Sequence, residues 1–169
     1  MKPLICITAG DVAGIGPEII AKAIQEKSAF LSKVQIVIIG PASVILNEFK
    51  KYRPGFKLPI IDKIENAISD VSILDMDDNS ALNTLKMGEV SKIAGLLSYR
   101  YVLRAIQLAL HKQVAAIVTA PINKTSWAKA GVAYGGHTEL LAEKSGTSNF
   151  AMGFYSKKLK VVLETIHVP

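Results

Sequence analysis

Residues 4–18 read Leu4-Ile5-Cys6-Ile7-Thr8-Ala9-Gly10-Asp11-Val12-Ala13-Gly14-Ile15-Gly16-Pro17-Glu18. An apolar run predicts a buried strand, and the small residues after it permit a tight turn. Pro17 is favoured in a first helical turn, and Glu18 suits the positive end of a helix dipole. A helix to about Glu26 is therefore expected. Strand, turn and helix in this order place a loop at the carboxyl end of a strand, where α/β proteins bind ligands.

The alternation continues outward. Val34 to Ile39 reads as a second strand, closed by Gly40-Pro41, and a helix follows from about Ala42 to Lys51. Tyr52 to Asn66 contains proline and glycine, with one short strand at Leu58 to Ile61. Val71 to Leu74 is a further strand, and Asp75 to Lys86 reads as an exposed loop. Glu89 to Lys112 is the longest periodic stretch, with Ile93, Leu96, Leu97, Val102, Leu103, Ile106 and Leu110 mostly at helical spacing. Ala115 to Thr119 is a continuous apolar run of the kind that buried parallel strands show. Helices are expected near Lys124 to Ala130 and over His137 to Lys144, the latter closed by Gly146. Phe150 to Tyr155 and Leu159 to Thr165 read as strands joined at Ser156-Lys157. The whole predicts an α/β fold with a largely parallel sheet.

Composition narrows the class. Half of the 169 residues are hydrophobic and 20% are charged, a globular balance. The longest apolar runs are far too short to cross a bilayer, and the start lacks the apolar region and cleavage site of a secretory signal. The single cysteine, Cys6, lies in an apolar run and reads as a buried thiol. A cytoplasmic protein without disulfides is expected. The net charge of +6 suits nucleic acid or a phosphorylated metabolite. The lysines are scattered, however. The one tight cluster, Lys157, Lys158 and Lys160, reads as a solvated hairpin turn, and no nucleic-acid motif is present.

Four segments offer chemistry. The loop from Thr8 to Glu18 could hold an anion on helix amides, or could be a purely structural turn. Its glycines lack the spacing of a dinucleotide fingerprint, and no Gly-Lys-Ser/Thr follows them. In Thr119-Ala120-Pro121-Ile122-Asn123-Lys124, a lysine just past a strand end can meet a phosphate or carboxylate, or can be an ordinary surface lysine. Gly136-His137-Thr138-Glu139 offers a ring, a hydroxyl and a carboxylate at a helix start. There Thr138 could instead cap the helix and Glu139 favour its first turn. In Glu164-Thr165-Ile166-His167, a histidine at a strand end is placed to ligate a metal, or is a lone satisfied polar group. His111, at the end of the long helix, reads as structural.

Taken together and in this order, these segments resemble the 4-hydroxythreonine-4-phosphate dehydrogenase family of pyridoxal phosphate biosynthesis. Gly88-Glu89-Val90-Ser91 and Thr165-Ile166-His167-Val168-Pro169 also fit, so the resemblance runs from Ile7 to Pro169. Two departures are Val12 and Gly135, both where the family usually has proline. The resemblance implies a fold similar to that of isocitrate and isopropylmalate dehydrogenases, with two α/β domains and a homodimer completing the active site. Here that fold is expected to be truncated, with a first domain over residues 1–118 and the start of a second over 119–169. It implies NAD or NADP, a divalent metal (Zn, Mg or Co) and a small phosphorylated substrate. The reaction implied is oxidation of the secondary alcohol of 4-phosphohydroxy-L-threonine, followed by loss of carbon dioxide. His137 and Thr138 would contact substrate, and Lys124 would contribute electrostatically to catalysis. His167 would be one of three histidine metal ligands, the other two lying beyond Pro169. No cofactor-binding residue is assigned, and neither a nucleic acid nor a membrane is expected as a partner.

The chain ends on Ile166-His167-Val168-Pro169, directly after a strand, and is expected to be the amino-terminal part of a longer protein, inactive alone. Two other readings stand beside this one. A paralogue could act on a four-carbon sugar-acid phosphate such as threonate or erythronate 4-phosphate, or the chain could be a non-catalytic fragment of the same fold.

Overall fold

A computed structural model describes residues 2–26, 28–76 and 82–164. The opening segment forms β1 (Leu4–Thr8) and α1 (Gly16–Glu26), with Glu18 in the first helical turn as expected. Then come β2 (Gln35–Gly40), α2 (Ala42–Tyr52), β3 (Ile60–Ile61) and β4 (Val71–Asp75). The long helix α3 (Lys92–Leu110) leads to β5 (Ala116–Thr119), α4 (Lys124–Lys129) and α5 (His137–Ser145). A hairpin of β6 (Gly153–Tyr155) and β7 (Lys160–Val162) follows.

Five strands make one parallel sheet in the order β3-β4-β2-β1-β5. Ile36, Val37, Ile38 and Ile39 of β2 are all buried. Consecutive burial means that both faces of the sheet are covered, which is why this strand is an unbroken apolar run. Cys6 is buried in the same core, and burial pushes its thiol up to about 12, so it is a protonated packing group.

Three expectations are adjusted. A buried strand is expected over Ala115 to Thr119, yet among the described residues β5 lies at the sheet edge and Val118 is 47% exposed. An apolar run cannot tell an edge strand from a central one. The long helix starts at Lys92 rather than Glu89, because the Ser91 side chain caps it by accepting from the Ala94 amide at 3.0 Å. The last two strands are shorter than expected and pair with each other, antiparallel, outside the main sheet. Their turn is the exposed lysine cluster, with Ser156 Oγ accepting from the Lys158 and Leu159 amides.

Among the described residues no helix is long and apolar enough to cross a membrane.

Candidate functional site

The strand order fixes where a site can form. The chain runs from β1 to β2 on one side and returns later to β5 on the other. The carboxyl ends of β1 and β5 are thus the point where the winding reverses, and open α/β sheets bind ligands in that crevice. Two of the four segments singled out above, those after Thr8 and Thr119, leave the sheet there.

The first segment turns out to be a brace. Gly10 has φ +69°, and a Cβ on it would stand 2.4 Å from the Pro121 carbonyl oxygen. Only glycine allows that approach. The Asp11 amide donates to the Pro121 carbonyl at 2.9 Å, which ties this loop to the one after β5. The Asp11 carboxylate accepts from the Ala13 amide at 2.9 Å, so the loop carries its own anion. The anion-holding alternative is therefore displaced by the structural one at this amide. Removing the carboxylate in Asp11→Ala leaves a buried N–H unpaired, at a cost of about 1–3 kcal/mol. A lower urea midpoint is expected, with Asp11→Asn recovering most of it. An unchanged midpoint for the alanine variant would count against the brace.

The second segment reaches α4 through Asn123, whose side chain accepts from the Ser126 amide at 2.9 Å and caps the helix. Lys124 is then the first helical residue. It is exposed and has no ion pair or hydrogen bond among the described residues.

The third segment opens α5. Gly136 is its N-cap residue and contributes no side chain, so Thr138 does not cap the helix. The Thr138 hydroxyl is left for other partners. A Cβ on Gly136 would lie 3.7 Å from Lys124 Cε, which shows how closely the lysine stem passes. His137 is half-buried, and its ring stands edge-on to Trp127 with centroids 5.7 Å apart. Burial pushes its pKa below the ordinary 6.5, so the ring is neutral at pH 7. Its Nε2 is buried and has no hydrogen-bond partner among the described residues.

Lys124, His137 and Thr138 meet at one cavity of about 290 Å³, which Pro121, Ile122, Gly135, Gly136, Glu139 and Met152 complete. That is about the lower limit for a small-molecule site. A lysine, a hydroxyl and a neutral imidazole can hold and orient a small anion, and the imidazole can accept or donate one proton. A second cavity of about 450 Å³, largely apolar, shares Thr138 and Met152 with the first. The parts played by Ile122 and Met152 were not read from sequence, since single apolar residues in loops carry no pattern.

Among the described residues no group of three His, Cys, Asp or Glu side chains could hold a metal ion. Of the fourth segment only Glu164 is described, and the expected ligand His167 lies outside the described residues. The described donors do not by themselves fit a metal, and no reaction step is derived through one.

Comparison with known proteins places the chain among relatives of shared fold. The family model for the pyridoxal phosphate biosynthetic protein PdxA covers residues 21–169. A D-threonate 4-phosphate dehydrogenase of Salmonella typhimurium is 40% identical over 167 residues, 97% of this chain and 50% of that protein. A 4-hydroxythreonine-4-phosphate dehydrogenase of Aquifex aeolicus is 40% identical over 172 residues, 100% of this chain and 51% of that protein. A solved structure of a 4-hydroxythreonine-4-phosphate dehydrogenase from Klebsiella pneumoniae superposes with a TM-score of 0.84 at 40% identity, covering 96% of this chain and 49% of that one. The chain spans about half the length of the curated relatives it matches. The α/β class expected from sequence, that of the isocitrate and isopropylmalate dehydrogenases, is the class of these neighbours. With 149 of its residues, 21–169, under the family model, the chain belongs to the pyridoxal phosphate biosynthetic protein PdxA family.

Proposed function

We propose that this chain is the amino-terminal half of a dehydrogenase that oxidises the secondary alcohol of a four-carbon acid carrying a 4-phosphate. The substrate proposed first is 4-phosphohydroxy-L-threonine, whose keto product then loses carbon dioxide on the way to pyridoxal phosphate. What supports the reading is the meeting of Lys124, His137 and Thr138 at one cavity in a chain of this family. In this reading Thr138 and His137 hold the substrate, and the Lys124 ammonium stabilises developing negative charge. A nicotinamide, NAD or NADP, supplies the hydride acceptor when bound. His167 is proposed as the metal ligand that this chain contributes to a divalent-metal site. Residues 1–118 would form the first domain and 119–169 the start of the second, in a cytoplasmic homodimer.

A second reading, oxidation of D-threonate 4-phosphate, is favoured by the name of the Salmonella relative, which is as similar to this chain as the Aquifex protein. Turnover of the full-length protein with each substrate, followed as nicotinamide reduction, separates them. Activity on the threonine phosphate supports the first, and activity on the sugar acid alone replaces it with the second. Inactivity on both, with metal and either nicotinamide present, would sink the dehydrogenase assignment.

A further inference from the structure

A histidine that must present one nitrogen to a ligand is normally oriented by a hydrogen bond on the other. His137 has no such tether at Nε2 among the described residues. What touches its ring is Trp127, edge-on at 5.7 Å with an interplanar angle of 74°. Trp127 is fully buried, and its own position is determined by a hydrogen bond. The indole N–H donates to Ser98 Oγ at 2.9 Å, and the Ser98 hydroxyl donates to the Gly95 carbonyl at 3.0 Å. Ser98 is also fully buried, so no water competes for that bond. Tyr99 packs edge-on against the same indole at 5.8 Å.

We propose that Trp127, anchored by Ser98, is the positioning residue that sets the plane of the His137 ring at the cavity. The proposal rests on the reading of His137 as a substrate contact and names what holds it in place. The physical case is that an indole with its only donor satisfied in a closed core cannot turn. An edge-to-face neighbour then has a preferred plane without any hydrogen bond of its own. A freely turning imidazole would present its nitrogen to substrate in a fraction of its orientations. Substrate binding would weaken accordingly, while metal content would not change.

The test uses the full-length protein, with KM and kcat for the phosphorylated substrate it turns over, metal content, and the histidine ring signals in NMR spectra. Trp127→Leu is expected to raise KM about tenfold while kcat falls less than about threefold, as loss of an orienting contact predicts. Trp127→Phe keeps an aromatic edge and restores KM to within about threefold of the parent. Ser98→Ala keeps the indole but frees its N–H, and raises KM by about threefold. In Trp127→Leu the ring-proton signals of His137 move, those of His111 stay, and bound metal is unchanged. If Trp127→Leu does not fold, Ser98→Ala carries the test through the same readouts. Parent-like KM in the Leu and Ser98 variants, with KM raised in His137→Ala, overturns the positioning role and leaves the substrate reading intact. Parent-like KM in His137→Ala removes the substrate reading and this inference with it.

Discussion

Gly95→Ala is expected to lower the melting temperature by about 6–12 °C, the equivalent of about 3 kcal/mol for a chain of this size. Two effects oppose each other at this position. Alanine in the interior of a helix such as α3 is favoured over glycine by about 1 kcal/mol. Against that, a Cβ on Gly95 would stand 2.0 Å from the Ser126 carbonyl oxygen and 2.3 Å from its carbon. Both atoms are backbone, so no side chain can swing away. Helix α4 must move by more than an ångström, and it carries Trp127. Overpacking of a tight core costs about 1–3 kcal/mol and at backbone contacts reaches the upper end or beyond, so the clash wins. Ser126 is pinned as well, its amide bonded to Asn123 and its hydroxyl accepting from the Ser91 amide at 3.2 Å. Thermal unfolding followed by circular dichroism measures the shift. An equal or higher melting temperature would mean that helix propensity decides and that the two helices are not in backbone contact.

His137→Ala should reduce kcat/KM of the full-length protein by about 100-fold, the usual scale for losing one contact that positions substrate. The companion substitution His137→Phe distinguishes function from packing. It keeps an aromatic ring beside Trp127 and removes a buried nitrogen that has no partner among the described residues. An unpaired buried polar atom costs about 1–3 kcal/mol, so the phenylalanine variant is expected to be as stable as the parent or more so, while its kcat/KM falls as in the alanine variant. The pH dependence has a defined sign. The folded-state pKa of His137 lies below the ordinary 6.5, so its stabilising contribution is present above 6.5 and is lost as pH falls through the lower folded value. Replacement by phenylalanine should flatten that part of the stability profile. Unaltered kcat/KM in both variants would remove His137 from the site, and an unchanged acid limb would mean that its ring is not buried.

Much of the fold was legible because the signals were local. Leu4 to Thr8, a glycine turn and Pro17-Glu18 define β1 and α1 from adjacent residues, and Gly40-Pro41 marks the end of β2 in the same way. Long-range relations were less legible. Nothing within Ala116–Thr119 distinguishes an edge strand from a central one, because pairing is decided by strand order. The buried face of α3 includes Gly95, Ser98 and Ala105, small residues that an apolar-spacing count passes over, and leaves Leu96 and Leu110 exposed. Among the candidate site residues, Lys124, His137 and Thr138 could be named because they carry chemistry. Trp127 carries no motif that sequence singles out, and the loop around Asp11 stood open between an anion site and a structural turn. Only the distances to His137, Pro121 and Ala13 separate their roles.

The cavity wall and the main core are built from different residues. None of the nine side chains or glycines around the smaller cavity belongs to the large cluster that holds the sheet. They sit in loops, at helix starts and beside the hairpin, so each can be exchanged with little effect on the packing between strands. A scaffold divided in this way can change its preferred phosphorylated acid through a few wall substitutions while its stability stays in place. That independence offers a physical route by which relatives equally similar to this chain could come to carry the names of two different substrates.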